Sequence, residues 1–76
     1  MLKFNSQTVS YPTKPAIKVI DAACYCNTSY EIGQRLGMTR RNVNWHLKNL
    51  RDFYGVETIH RVVAICIVRG LISPKL

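Results

Sequence analysis

The apolar residues of this chain fall into four sets, each spaced as one face of a helix. Ile17, Ile20, Ala23 and Cys24 recur at intervals of three and four, which predicts a first helix that Thr13 caps and that fails near Asn27. Pro15 fits its first turn, where backbone N–H groups lack intrahelical partners. Thr28-Ser29-Tyr30-Glu31 matches a capping box, with Thr28 accepting from the backbone and Glu31 reaching back. A short second helix then turns Ile32 and Leu36 inward. Gly37 suits a left-handed residue after Leu36, and Thr39 caps a third helix almost at once.

That third helix is expected from Arg40 to Tyr54, ending at Gly55. At about 100° per residue, Val43, Leu47, Leu50 and Tyr54 form one narrow stripe. Arg41, Trp45, Lys48 and Asp52 lie opposite it, with Arg40 and Asn44 on a flank. The only tryptophan therefore sits off the core, among basic and amide side chains. Thr58 is positioned to cap a fourth helix, IHRVVAICIVRG, which Gly70 ends with Pro74 soon after. Ile59, Val62, Val63 and Cys66 make its inward stripe, with Ile67 at the edge. Ala64, Ile65 and Val68 are apolar on the other side, and a helix apolar all round must be covered all round. A small domain cannot wrap its last helix completely, so a partner subunit is the expected cover.

The expected fold is all-α: a four-helix bundle in which the second and third helices form a helix-turn-helix and the C-terminal helix dimerises. Two helices joined by a short turn containing Gly is the pattern behind that expectation. Residues 1–12, which end at Tyr11-Pro12, read as a flexible N-terminal arm before a domain at 13–76. There is no low-complexity tract and no internal repeat.

Composition changes the picture mainly through charge. The 76 residues make one small domain, near the size where a single core only just suffices. Eleven Lys and Arg against four Asp and Glu leave a formal charge of +7. The excess is concentrated: Arg35, Arg40, Arg41, Lys48 and Arg51, with His46, occupy a stretch without a single acid. Such a segment attracts polyanions by releasing their condensed counterions. No apolar run approaches the roughly 20 residues needed to span a bilayer, and the N-terminus has no secretion-signal pattern. Three cysteines fit a reduced compartment better than a disulfide scaffold. A cytoplasmic protein without a membrane partner is the expectation.

Candidate chemistry is sparse. Cys24 and Cys26 lie about 200° apart around a helix, and no C-x-x-C or H-x-x-x-H pair occurs. Neither a metal site nor a cofactor is expected, and the cysteines read as small core residues. No nucleophile–base–orienter set or glycine-rich phosphate loop is present, so an enzyme is excluded as a reading.

Arg41, Asn44 and Lys48 have base-reading chemistry: Arg and Lys donate to guanine, and Asn pairs bidentately with adenine. Trp45 offers a flat apolar face for thymine methyls or sugars. Arg40, His46 and Arg51 suit phosphates, as do Thr28, Ser29 and Thr39 at two helix starts. For Thr28 and Ser29, capping alone is an equal or better explanation. Arg61, Ala64, Ile65 and Val68 are the candidate dimer interface.

Residues 13–72 resemble the DNA-binding domain of LuxR/FixJ/GerE-type transcription regulators. The residues that carry the likeness are Glu31-Ile32-Gly33, Leu36, Gly37-Met38-Thr39, Asn42-Val43-Asn44-Trp45-His46, Tyr54-Gly55-Val56 and the tail RVVAICIVRGLI. The family's acidic residues in the first helix are missing here, and positions 65 and 68, commonly charged, are Ile and Val. The resemblance implies a bacterial, phage or plasmid protein whose third helix enters the major groove of double-stranded DNA. It implies base and phosphate contacts from Arg41, Asn44, Trp45 and Lys48, with Arg40 and His46 near phosphates, and a homodimer paired through the fourth helix. RNA polymerase or a larger regulator would be a further partner. Two rivals stay open: a protein-interaction module that antagonises another regulator through its fourth helix, and non-specific nucleic-acid coating. The last fits worst, because only Trp45 stands on the basic face as a stacking platform.

Overall fold

The computed structural model describes residues 11–74, and among them the chain is all-helical, with no strand. Its helices are α1 (Lys14–Ala23), α2 (Ser29–Leu36), α3 (Arg40–Tyr54) and α4 (Ile59–Val68). No helix of the described residues is long and apolar enough to cross a membrane. Residues 1–10, most of the expected arm, lie outside the described residues. Tyr11 is half-buried against the core, its ring centroid 4.7 Å from that of Phe53.

Local chemistry accounts for most helix ends. Thr28, Thr39 and Thr58 each accept a hydrogen bond at Oγ1 from the backbone N–H three residues on, at 3.1, 3.1 and 3.4 Å. Each bond satisfies a donor that the helix start would otherwise leave unpaired. Glu31 does reach back, but to the N–H of Asn27 at 2.7 Å, one residue before the cap. Thr13 makes no side-chain cap. Its carbonyl accepts from Ile17 at 2.9 Å, and Pro15 stands in the first turn.

Three helices end in the same way, with glycine followed by an apolar residue. Gly37 and Gly55 have φ of 72° and 67°, a left-handed geometry that a Cβ disfavours. The next residues donate backward across the last turn: Met38 to Gly33 at 2.9 Å and Val56 to Arg51 at 3.0 Å. Leu71, after Gly70, does the same to Cys66 at 2.8 Å. Met38, Val56 and Leu71 then pack on the core, so each chain reversal is held by a hydrogen bond and an apolar contact together.

α1 lies between two packed clusters. On one side Ala16 and Ile20 meet Leu50 of α3, Val62 and Cys66 of α4, and Ile72 beyond it. On the other, Val19 and Ala22 meet Ile32 of α2 and Val43 of α3. The expected stripe of Ile17, Ile20, Ala23 and Cys24 is therefore rotated. Only Ile20 is fully buried, and Ile17, Ala23 and Cys24 are half-buried at the margins. A single stripe serves a helix with one packing partner, and α1 has partners on both flanks. It is also shorter than the spacing suggests, ending at Ala23, with Cys24 and Tyr25 turning back to Asp21 and Ala22 through bonds of 3.1 and 2.9 Å. Sealing a side chain the size of Ile20 or Leu50 stabilises the fold by about 1.5–3 kcal/mol.

Gly33 sets how closely α2 and the start of α3 approach. It is buried, and a Cβ built there would lie 2.5 Å from the Met38 carbonyl oxygen. Any larger residue must push the α2–α3 turn outward.

Candidate nucleic-acid interface

α3 is packed against the core along one side and open along the other. Val43 and Leu50 are completely sealed, while Leu47 and Tyr54 are half-buried. Arg40, Arg41, Asn44, Trp45 and Lys48 are exposed, and Trp45 retains 59% of its accessible surface. Among the described residues no ion pair occupies Arg40, Arg41 or Arg51. Arg51 is half-buried, so its reach is shorter than that of the two arginines at the helix start.

Trp45 stands beside a shallow hollow of about 380 Å³ that it lines with Thr39, Arg41 and Asn42. Asn42 belongs to this face, although its side chain carried no expected role. The signal was available: it lies three residues before Trp45, a spacing that makes the two neighbours on a helix surface. Lys48 is engaged with Asp52 one turn on, Nζ to Oδ2 at 3.0 Å. Both side chains are more than 60% exposed, and such pairs contribute at most about 1 kcal/mol. An incoming phosphate or base edge can displace Asp52 at little cost.

His46 departs from its expected role as a phosphate contact. It is buried, with 8% of its surface accessible, and burial pushes its pKa below the ordinary 6.5. A neutral, enclosed imidazole has neither the charge nor the reach for a phosphate. The reason is its register: Val43, His46 and Leu50 are spaced three and four apart, so His46 shares the core stripe. Its ring meets that of Trp45 edge-on, centroids 5.1 Å apart, and so helps to hold the indole on the outer face.

At the start of α2, Thr28 is exposed and Ser29 half-buried. The hydroxyls of Thr28 and Thr39 accept from their own helices, which leaves each O–H group as a donor. Capping and a phosphate contact are chemically compatible at both places.

The second open face is on α4. Val62 and Cys66 are buried, and Ile59 and Val63 are half-buried beside them. Arg61 and Ala64 are exposed, as is Val68 at 85%. Ile65 is only half-buried, and Ile67, expected at the edge of the inward stripe, is 45% exposed. Ala64, Ile65, Val68 and Arg69 line a shallow hollow of about 340 Å³. This helix therefore leaves an apolar strip in water. Of the cysteines, only Cys66 is sealed; Cys24 and Cys26 are half-buried. Burial raises the pKa of Cys66, and also of Cys24.

No protein-family model, no curated protein and no solved structure matches the chain. The chemistry of the two open faces is the ground on which function is read.

Proposed function

We propose that this chain is a sequence-specific double-stranded DNA-binding transcription regulator that acts as a homodimer. In this reading α2, the turn at Gly37-Met38-Thr39 and α3 form a helix-turn-helix within a four-helix bundle. α3 enters the major groove, and α4 pairs two subunits. The observation that carries the reading is the α3 face. Arg41, Asn44, Trp45 and Lys48 stand exposed together, directly behind a fully sealed Val43 and Leu50. Exposed arginine, asparagine and lysine on one face of a rigid helix match the donor and acceptor pattern of base edges, and the +7 charge supplies the long-range attraction. The residues that resemble LuxR/FixJ/GerE-type domains support the same assignment. Arg40, Arg51, Thr28, Ser29 and Thr39 are assigned to phosphates, where they fix register without reading sequence. The test is selection of bound sites from random duplex DNA by the purified protein at stated salt. Enrichment of a palindrome with half-sites about one helical turn apart is expected; recovery of unrelated sequences removes the specific-binding reading.

The second reading is a small antagonist that pairs with a larger regulator through α4. It is favoured by one observation, the 85% exposure of Val68 on an apolar strip. Heterodimer formation by a protein that has no affinity for DNA would select it.

A further inference from the structure

We propose that Lys14, Lys18 and Arg35 form a second phosphate-binding strip for the same duplex, outside the groove that α3 enters; this rests on the DNA-binding reading above. The three cations line a cleft of about 560 Å³ between α1 and the C-terminal part of α2. Asp21 is the one acid on its lining, and among the described residues no ion pair joins it to any of them. Arg35 is steadied without a counter-charge, its guanidinium carbon 5.2 Å from the centre of the Tyr25 ring. It keeps its hydrogen-bond donors for an anion.

The placement of the lysines works against their own helix. Lys14 is the first residue of α1, at the positive end of the macrodipole, and the first turn contains no acid to offset it. Lys18 follows one turn later on the same ridge, a like-charge spacing that disfavours the helix. A bound anion reverses both effects. The cleft also runs toward the α3 face. Met38 lines the cleft, and the next residue, Thr39, lines the hollow beside Arg41 and Trp45. No acid occurs between Ile32 and Arg51, so the segment that joins the cleft to the α3 face carries no negative side chain. Charge complementarity with a regularly spaced polyanion that already meets α3 favours the DNA backbone over an acidic protein segment.

The experiment measures Kd for a labelled duplex carrying the selected site across a series of KCl concentrations. Wild-type protein is compared with Lys14→Gln/Lys18→Gln, which leaves the Arg35–Tyr25 contact intact, and with the triple variant that adds Arg35→Gln. Each phosphate contact contributes roughly 0.9 to the slope of log Kd against log salt. The double variant should therefore lose about 2 from that slope and the triple variant about 3, with preference for the selected over a scrambled site unchanged. An unaltered slope in variants whose circular dichroism matches wild type overturns the strip and leaves the α3 reading standing. Failure of the wild-type protein to bind any duplex would instead remove the reading on which the strip rests.

Discussion

α3 and α4 are each sealed on one side and open on the other, and their open sides have opposite chemistry. α3 turns arginines, a lysine, an asparagine and one indole outward; α4 turns out Ala64, Ile67 and Val68. The first arrangement is what water permits without penalty, and the second is not. An apolar strip gains only when something covers it, at about 25 cal/mol per Å² removed from water. The two faces are therefore suited to different forces. Binding through α3 should weaken steeply with salt, because counterion release drives it. Association through α4 should be nearly indifferent to salt. One titration series followed by both DNA binding and sedimentation separates the two.

The comparison breaks most completely if the shared core behind both faces is removed. Leu50→Ala is expected to cost about 2–5 kcal/mol, read as a lowered urea midpoint, because Leu50 packs against α1 and α4 and backs the α3 face. Gly33→Ala comes next. Its Cβ would meet the Met38 carbonyl oxygen at 2.5 Å, and the forced shift should cost about 1–3 kcal/mol. The effect should fall on the α2–α3 turn, so amide exchange near Met38 should accelerate while α4 keeps its protection.

Replacing Asn44 and Trp45 together by Ala sharpens the contrast and, in the core, removes only the edge contact of Trp45 with His46. Discrimination between the selected site and a scrambled one should fall by roughly 1–3 kcal/mol, with stability held, since both side chains are exposed. Unchanged discrimination would sink the groove assignment. On the other face, Ala64→Glu with Val68→Glu should change stability by less than about 0.5 kcal/mol yet give a monomer in sedimentation. A persistent dimer would remove α4 as the interface.

The smallest expected effect is a pH dependence from His46. Its folded pKa lies below the ordinary 6.5, so the unfolded chain takes up the proton first as pH falls. Its contribution to stability is present above 6.5 and is lost as pH falls through the folded value. Urea midpoints measured between neutral and mildly acidic pH should decline, and His46→Gln should flatten that part of the curve.

Much of this was legible in local sequence. The boundaries of α3, the capping by Thr28, Thr39 and Thr58, and the glycine stops at Gly37 and Gly55 follow from interactions within four or five residues. So does the outward Trp45, because the helical period that sends Val43 and Leu50 inward turns position 45 away from them. What local spacing does not carry is the number of neighbours each helix has. The spacing of α1 predicts one packing face, and the fold gives it two. The spacing sets Ile67 at an inward edge, but the fold leaves 45% of it exposed. The cations around His46 in sequence suggest a phosphate role for it, although its spacing from Val43 and Leu50 puts it in the core.

What the amino-acid sequence determined by itself is therefore the set of helices, the ends of α2 and α3 and the concentration of positive charge, all consequences of short-range hydrogen bonding, periodicity and composition. The tertiary structure decided which charges stay available. It sealed His46 and lowered its pKa, left Arg40 and Arg41 of α3 exposed, and drew Lys14 and Lys18 of α1 to the same cleft as Arg35 of α2. Burial and desolvation depend on residues far apart in the chain, and only packing brings those together.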